Sequence, residues 1–305
     1  MESKVSIILL NYNTTDDAIQ CINSLLKIDY GNYDIIIVDN MSKDDEYDRL
    51  NKYIQNIEKC SLIRSKENRG FAYGNNIGIK YAIDKGCDYV LLLNCDTEVE
   101  RNFLSELIKP IKKNEELVAI SIGKIKYFHD KKKLWYAGGE IKWNNYIGIH
   151  FGEGEKDIGQ YDEEKEITFA TGCCMLINCR LDFNFFLPEE YFMYYEDVDF
   201  CANVLGNGYK IVYSPKSVIY HKVGGSSGGE QSSFTLRWSN RGRLIFMNKY
   251  KNRVSKLSFN YIKIKFYFTR FFKIIYLLLK FEKDKAKSIY YGTKDGIRFQ
   301  KKYKL

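Results

Sequence analysis

Apolar runs that alternate with helix-like segments constrain the fold of this chain more than any other feature of its sequence. The runs are Val5–Leu10, Ile35–Val38 and Tyr89–Leu93, and a segment with helical spacing or polar composition follows each of the first two. Leu62–Arg64 indicates another strand, followed by a helix over about residues 72–85. Since such apolar runs are typical of strands buried on both faces, we expect an α/β chain with a doubly wound, mostly parallel sheet.

The sequence changes character after about residue 120, where short aromatic stretches alternate with glycine-rich turns. Examples are Trp135–Gly139 and Tyr146–Gly154. Thr168–Asn178 is predicted to form a pair of strands, and Glu196–Asn207 a helix that ends at Gly208. We therefore expect a smaller mixed or antiparallel region built onto the main sheet.

Cysteine usage and the N-terminus indicate the cellular compartment. The eight cysteines form no CxxC pair and no regular framework, so we expect reduced thiols rather than disulfides or a zinc site. Met1–Lys4 leads directly into an apolar strand without a signal-peptide pattern. These features predict a cytoplasmic protein that is not secreted.

The C-terminal segment is strongly basic. Lys249–Leu305 holds 17 Lys/Arg and 3 Asp/Glu, whereas the rest of the chain holds 30 and 36. Basic positions 256, 263, 270, 273, 280 and 287 would share one face of a helix, with Phe, Leu and Ile over much of the remainder. Charges at this spacing preclude a membrane-spanning helix. We favour a helix that lies in a membrane interface. The alternative is a helix that docks on its own domain or on a second subunit. Nucleic-acid binding fits this composition less well.

Polar side chains stand where three predicted strands end. Asn11, Asp39 and Asp96 occupy these positions, and ligands bind at the carboxyl ends of strands in parallel sheets. Asp39 would bind a ribose or base, or else cap the next helix. Asp96 would bind a divalent metal shared with phosphates, or else act as a helix N-cap. No GxGxxG follows the first strand, which weighs against a nicotinamide or flavin dinucleotide.

Three further motifs carry candidate chemistry, each with a structural alternative. Asn68–Gly78 is a glycine- and amide-rich helix entry in which Arg69 could pair with a phosphate, although such entries also arise from tight packing alone. Glu196 and Asp197 follow five bulky residues, which suggests a cleft because charge beside apolar bulk needs compensation. His221 precedes a Gly/Ser-rich loop, and a lone histidine is commonly structural.

Together these motifs resemble the family 2 glycosyltransferases of GT-A fold, in particular the rhamnosyltransferase-like branch of bacterial polysaccharide assembly. The likeness covers about Val5–Tyr250. Its motifs are the first strand to Asn13, Val38–Asn40, Asn68–Gly78 (NxGFxxGNNxG), Asn94–Asp96 (NPD or DxD), Tyr195–Asp199 (EDxD), His221–Ser227 and Arg241–Leu244 (RNRL). Cys95 replaces the usual Pro, and Gly242 the usual Asn.

The resemblance implies a role for each candidate residue. Asp197 would be the general base and Glu196 would position the acceptor, while Asp96 and His221 would hold Mg²⁺ or Mn²⁺. The remaining roles are nucleotide binding by Asn11, Asn13, Asp39, Arg69, Asn94 and Asp96, an acceptor and sugar pocket formed by Trp135, Gly172, Cys173 and Tyr195, and a diphosphate contact from Arg241. Gly224–Gly229 would close over the donor.

The implied activity is an inverting, metal-dependent hexosyl transfer from a nucleoside diphosphate sugar to a glycan or lipid-linked acceptor. dTDP-rhamnose is the first candidate donor, followed by UDP-hexoses. Residues 1–245 would form the catalytic domain, divided at 120 into nucleotide-binding and acceptor halves, and 246–305 a tail that binds the inner face of the cell membrane. A homo-oligomer is compatible with the resemblance. Alternatives are a catalytically idle sugar-nucleotide-binding module and a nucleotidyltransferase.

Overall fold

The computed structural model describes residues 2–224, 229 and 231–303. Over these residues the chain forms twelve strands, eight α-helices and one short 3₁₀ helix at Lys251–Arg253. The strands are β1 (Val5–Asn11), β2 (Tyr33–Asp39), β3 (Cys60–Arg64), β4 (Tyr89–Asn94), β5 (Thr97–Val99), β6 (Val118–Tyr127), β7 (Leu134–Tyr136), β8 (Gly139–Lys142), β9 (Ile147–His150), β10 (Lys165–Ile167), β11 (Cys174–Asn178) and β12 (Lys210–His221). The helices are α1 (Thr15–Leu25), α2 (Asp44–Ile54), α3 (Phe71–Asp84), α4 (Phe103–Lys113), α5 (Glu196–Gly206), α6 (Ser233–Lys249), α7 (Lys256–Leu279) and α8 (Lys283–Tyr303).

Ten of these strands form one sheet, in the order β10-β12-β6-β11-β4-β1-β2-β3, with β5 paired to β12 and β7 to β6. β3, β2, β1 and β4 run parallel, as do β6 and β12, whereas β11 is antiparallel to both β4 and β6. β8 and β9 form a separate antiparallel pair. The prediction of a mostly parallel sheet with a smaller mixed region is therefore confirmed.

Strand register brings the predicted polar ends to one edge of this sheet. Asn11 lies opposite Asp39 in the β1–β2 pair, and Asn94 lies opposite Leu10 in the β1–β4 pair. His221 lies opposite Thr97, directly after Asp96. Residues far apart in sequence therefore converge because parallel strands end at a common edge.

The predicted strand pair over Thr168–Asn178 is wrong. Only Cys174–Asn178 is a strand, and residues 168–173 form a connecting loop between β10 and β11. The N–H of Gly172 donates to the Asp197 carboxylate instead of to a strand neighbour. The predicted helix from Glu196 is confirmed, with Gly208 following it at φ +85°.

Tight packing accounts for two glycines in α3. A Cβ on Gly74 would lie 2.3 Å from the Leu10 side chain, and one on Gly78 would lie 2.6 Å from the Ile8 side chain. The missing side chains let α3 approach β1 closely. The structural alternative for this glycine-rich segment therefore explains these two positions.

The C-terminal helices pack on the rest of the fold. The predicted boundary at 245/246 falls inside α6, where Ile245 and Phe246 are both fully buried. α8 packs so closely on α6 that a Cβ on Gly292 would lie 2.2 Å from the Arg237 carbonyl oxygen. The described part of the chain contains no helix with the length and apolar content that crossing a membrane requires.

The structure corrects the prediction of a single basic face on the tail in two respects. The helix is interrupted between α7 and α8, so Lys287 lies on a different helix from the other basic positions. Arg270 also points inward, where its Nη1 donates to Asn240 Oδ1 at 3.0 Å. Part of the basic face therefore contacts the chain's own α6, as the docked-helix alternative predicted.

Candidate active site

A polar network joins the ends of β1 and β2. Asn11 Nδ2 donates to Asp39 Oδ1 at 3.2 Å, and the Ser42 backbone N–H donates to Asp39 Oδ2 at 3.1 Å. Asp39 is fully buried, and Arg64 Nε lies 3.7 Å from its Oδ2. α2 begins only at Asp44, so Asp39 does not cap that helix. The network fixes the Asp39 carboxylate at the edge where a nucleotide was predicted to bind.

Ser42 is a part of this network that the sequence reasoning missed. Its Oγ accepts from the Asn13 backbone N–H at 2.9 Å, and Asn13 Oδ1 accepts from the Lys43 N–H at 2.9 Å. Asn13 is exposed and has φ +54°, a left-handed conformation that Asn tolerates better than most residues. The signal that could have identified Ser42 is a small hydroxyl residue three positions after the Asp at the end of a strand.

Asp96 and His221 are in direct contact. His221 Nε2 lies 3.1 Å from Asp96 Oδ1, and the Lys222 N–H donates to the Asp96 carbonyl at 3.0 Å. Thr97 begins a short strand and α4 starts only at Phe103, so the N-cap interpretation of Asp96 is wrong. Asn94 lies in the same segment, and its carbonyl accepts from Thr97 Oγ1 at 2.7 Å.

The surroundings of this pair favour an ionised carboxylate. Burial opposes ionisation of Asp96, but the hydrogen bond from His221 and the nearby positive charges outweigh it, and the pKa of Asp96 lies below its ordinary value. The indole of Trp135 lies edge-on to the His221 ring at 4.6 Å between centroids. Trp135 thus holds the imidazole in place beside the carboxylate.

The Asp96 and His221 atoms fit a divalent cation. One carboxylate oxygen and one imidazole nitrogen 3.1 Å apart are close enough to share an ion, and both are common ligands of Mn²⁺ and related metals. Nδ1 of His221 is buried without a hydrogen-bond partner within the described ranges. Within those ranges the pair is not part of a group of three candidate ligand side chains.

A strained turn presents the acidic pair. Tyr194 and Tyr195 have φ of +67° and +78°, and α5 begins at the next residue, Glu196. Such conformations cost about 1–3 kcal/mol each and persist only where neighbours enforce them. Gly242 of α6 is one such neighbour, since a Cβ there would lie 2.9 Å from the Tyr194 carbonyl oxygen. A side chain at position 242 would therefore collide with this turn.

Glu196 is buried and Asp197 is half-buried. Asp197 Oδ2 accepts from the Gly172 N–H at 3.1 Å, and Oδ1 accepts from the Val198 N–H at 2.8 Å. Burial raises the pKa of Asp197 above its usual value, and burial together with the Asp197 charge raises that of Glu196 well above its own. Glu196 Oε2 is buried and unpartnered within the part of the chain described. Raised carboxylate pKa values in a cleft are common at catalytic sites.

Asp199, the last acidic residue of the motif, has a different environment. It accepts hydrogen bonds from the Tyr191 hydroxyl at 2.9 Å, the Tyr250 hydroxyl at 2.7 Å and Lys249 Nζ at 2.7 Å. These contacts tie α5 to the end of α6. Asp199 therefore stabilises the turn rather than facing a ligand.

The loop of residues 168–173 joins the two halves of the site. The Cys173 carbonyl accepts from the Asn94 N–H at 2.9 Å, while Gly172 next to it contacts Asp197. Burial raises the pKa of the Cys173 thiol far above its usual value, with a further contribution from the negative charge of Asp96. The Asp96 segment and Asp197 are thus both within contact of one short loop.

Arg69 and Arg241 are the two predicted phosphate-binding arginines. Among the described residues, neither contacts this loop. Arg69 is half exposed, lies 3.6 Å from Glu189 and covers the ring of Tyr73. Arg241 Nη1 donates to the Glu190 carbonyl at 2.6 Å, and its guanidinium lies 5.3 Å from the ring centroid of Phe299 in α8. Their proposed contacts with a diphosphate stay predictions.

The Tyr195 side chain and the segment Gly224–Gly229 are the last two parts of the predicted site. Tyr195 packs against Phe246, and its hydroxyl donates to the Tyr146 carbonyl at 3.3 Å, so its side chain is engaged with the protein. The predicted closing segment Gly224–Gly229 falls mostly on residues 225–228, which lie outside the described residues.

Sequence comparison identifies related proteins. The model of glycosyl transferase family 2 matches residues 6–184, which is more than half of the chain. The chain is 25% identical over 229 residues to the dTDP-rhamnosyl transferase RfbF of Shigella flexneri, covering 74% of this chain and 72% of RfbF. It is 26% identical over 214 residues to the low-salt glycan biosynthesis hexosyltransferase Agl10 of Haloferax volcanii, covering 66% of this chain and 61% of Agl10.

Solved structures share the fold. GalNAc-T7 with UDP, GalNAc and Mn²⁺ aligns with a TM-score of 0.61 at 16% identity, over 82% of this chain and 49% of that one. The mannosyltransferase PcManGT from Pyrobaculum calidifontis, in complex with GDP-Man and Mn²⁺, aligns with a TM-score of 0.58 at 11% identity, over 97% and 88% of the two chains.

The family match covers the ends of β1 and β2 and the Asp96 segment, and ends before Asp197 and His221. The mostly parallel sheet and its structural neighbours agree with that match. The chain belongs to glycosyl transferase family 2 and is a glycosyltransferase.

Proposed function

We propose that this chain transfers a sugar, with inversion at the anomeric carbon, from a nucleoside diphosphate sugar to a hydroxyl group of a glycan or lipid-linked saccharide. One observation carries the proposal. The loop of residues 168–173 contacts both Asn94, beside the Asp96–His221 pair, and the half-buried carboxylate of Asp197. A leaving-group site and a base are thereby held on either side of one short segment.

The nucleotide would bind at the ends of β1 and β2. Asn11, Asn13 and Asp39 lie there in one hydrogen-bonded network with Ser42, and a ribose or base would be recognised by such amide and carboxylate groups. Arg69 would contribute from the entry to α3. A network that is already formed costs little further ordering when the nucleotide binds.

The diphosphate would lie beside Asp96 and His221, which would hold Mg²⁺ or Mn²⁺. When bound, such an ion neutralises the negative charge that grows on the leaving diphosphate. The ionised state of Asp96 and the fixed orientation of His221 support this role. The structural neighbours GalNAc-T7 and PcManGT were solved with Mn²⁺.

Asp197 would act as the general base. Its carboxylate takes the proton of the acceptor hydroxyl while that oxygen bonds to the anomeric carbon, and the bond from that carbon to the diphosphate breaks with its electron pair. The Gly172 and Val198 N–H groups hold both carboxylate oxygens in position. Glu196, Trp135, Gly172, Cys173 and Tyr195 would surround the acceptor and the transferred sugar.

L-Rhamnose from dTDP-rhamnose is the first candidate donor, because RfbF is a dTDP-rhamnosyl transferase. UDP-hexoses are the second candidates. The acceptor would belong to a cell-surface polysaccharide under assembly at the cytoplasmic side of the membrane.

The product nucleotide tests the proposal. Incubation with dTDP-rhamnose or UDP-hexoses, Mn²⁺ and a saccharide acceptor should release the nucleoside diphosphate. Release of pyrophosphate from a nucleoside triphosphate would indicate a nucleotidyltransferase instead. Donor binding without any release, across a panel of donors and acceptors, would indicate a binding module.

A further inference from the structure

Helix α7 exposes a long apolar stripe. We name the exposed α7 stripe by its seven residues, Leu257, Tyr261, Ile264, Phe268, Phe271, Ile275 and Leu278. They follow one another at alternating steps of four and three, so they lie along one side of the helix. Leu257 is 83% and Phe268 62% exposed. A contiguous exposed apolar surface of this kind marks an interaction site.

The opposite side of α7 is already packed on the protein. Phe259, Ile262, Phe266 and Leu277 are buried, and the Arg243 guanidinium of α6 lies over the Phe266 ring at 5.3 Å. Arg270 also faces α6 through its contact with Asn240. These contacts fix the rotation of α7 about its axis, so the stripe cannot turn inward without breaking them.

The width of the apolar surface favours a flat partner over a single helix. Phe272, Tyr276 and Leu279 flank the stripe and are themselves exposed. At 3.6 residues per turn the apolar arc then spans roughly 160° of the circumference. A two-helix seam uses the narrower arc of a and d positions and would leave these flanking groups in water.

Charge favours an anionic partner. α7 contains no Asp or Glu, and the exposed Lys256, Lys265 and Lys280 lie at its ends and beside the stripe. A second copy of α7 would therefore bring lysines together without acidic partners on that helix. Anionic lipid headgroups would pair with them, and Tyr261 and Tyr276 suit the boundary between headgroups and acyl chains.

We infer that the exposed α7 stripe docks flat onto an anionic membrane surface, with α7 parallel to the bilayer plane. The apolar side chains enter the interface and the flanking lysines contact the headgroups. The buried face of α7 stays on α6, which in turn packs on the Tyr194–Tyr195 turn. This inference goes beyond the proposed reaction and does not depend on the donor.

Vesicle sedimentation with the full chain tests the inference. The chain should bind vesicles of phosphatidylcholine with phosphatidylglycerol, bind pure phosphatidylcholine weakly, and lose affinity as salt rises. The double variant Ile264→Glu/Phe268→Glu should bind the anionic vesicles at least about tenfold more weakly. Its thermal unfolding should match that of the parent, because both side chains are exposed.

A matched double variant provides the control. Ile158→Glu/Phe186→Glu places the same charges at exposed apolar residues outside α7 and should retain vesicle binding. The inference is overturned if the parent chain stays in the supernatant with anionic vesicles, or if the control loses binding equally. It is also overturned if light scattering shows a lipid-free dimer that Ile264→Glu/Phe268→Glu dissociates while vesicle binding persists.

The readouts also separate this inference from the proposed function. Sugar transfer to a soluble acceptor is expected to survive Ile264→Glu/Phe268→Glu. Intact transfer without vesicle binding by the parent chain contradicts the membrane inference alone, whereas vesicle binding without nucleoside diphosphate release contradicts the proposed reaction alone.

Discussion

The Gly172 backbone N–H donates a 3.1 Å hydrogen bond to Oδ2 of Asp197, across a sequence separation of 25 residues. This bond directs the Gly172 N–H to α5, and the N–H groups of Thr168 and Phe169 donate to Gly139, so these residues do not form the first half of the predicted strand pair. It also fixes the carboxylate that we propose as the base. The same loop contacts Asn94, so one loop connects the two sides of the site that we propose for donor and acceptor.

Asp197→Asn should reduce transfer by about 10²–10⁴-fold, because the amide cannot accept the acceptor's proton. Donor affinity, measured by calorimetry, should stay nearly unchanged, since the substitution preserves size. Asp182→Asn makes the same change at an exposed carboxylate and should be neutral. Full activity of the Asp197 variant would contradict the assignment of Asp197 as the general base.

The acid limb of kcat/KM should have its midpoint above pH 3.8, the ordinary value for an Asp carboxyl. Burial raises the pKa of Asp197, and the base works only when ionised, so activity is present above that pKa and falls as pH drops through it. Rates should be measured across acidic pH with circular dichroism at each point. A folded enzyme that keeps full activity down to pH 3.8 would contradict the assignment of Asp197 as the base.

His221→Ala should weaken Mn²⁺ binding in the presence of a nucleoside diphosphate by about tenfold or more, by the usual sensitivity of metal sites to loss of a partner. Paramagnetic resonance titration of free Mn²⁺ measures this directly. His129→Ala changes an exposed histidine and serves as the control. Equal affinities for both variants would remove His221 from the metal site.

Gly242→Ala should destabilise the fold by about 1–3 kcal/mol and lower kcat, because the new Cβ forces the strained turn away from α6. Gly206→Ala is the matched control, since a Cβ there has only an ordinary 3.6 Å contact with Arg253. Helix propensity predicts a neutral or slightly stabilising effect at 206. Urea unfolding and steady-state rates of the two variants provide the comparison.

His150 should make stability depend on pH. Burial lowers its pKa from 6.5 to about 4. Between pH 6.5 and about pH 4 the unfolded chain therefore binds a proton at this residue that the folded chain does not bind. Its contribution is therefore present above pH 6.5 and lost as pH falls towards 4. The free energy of unfolding should drop by roughly 2 kcal/mol from this residue between pH 7 and pH 5.

Urea unfolding of His150→Phe tests this contribution. The phenyl ring keeps the aromatic contacts with Trp135, Tyr136 and Phe169 but does not titrate. The variant's free energy of unfolding should depend less on pH between 7 and 5 than the parent's. The same slope in both proteins would contradict the prediction.

Local pattern determined the elements of the parallel half. Val5–Leu10, Ile35–Val38 and Tyr89–Leu93 were predicted as strands because an unbroken apolar run needs burial on both faces, and the structure confirms them. The placement of Asn11, Asp39 and Asp96 at one edge followed from the common direction of parallel strands. These inferences use information within a few residues of each position.

Contacts between distant residues required the family resemblance or the tertiary structure. Nothing in Thr168–Asn178 predicts the Gly172–Asp197 contact, which forms only where this loop meets the first turn of α5. The resemblance implied that Asp96 and His221 act together, and the structure adds their direct 3.1 Å contact. The alternatives for Asp39 and Asp96 as helix caps could be rejected only once the starts of α2 and α4 were known.

The sequence by itself determined that this is an α/β chain with polar groups at its strand ends and an amphipathic C-terminal segment. Only the tertiary structure decided which side of α7 faces water. Helical periodicity defines two faces, but the contacts of Arg270 with Asn240 and of Arg243 with Phe266 select the one that packs on α6. Those contacts bury part of the basic face and leave the apolar stripe exposed, because burial depends on the neighbour a helix meets as well as on its own pattern.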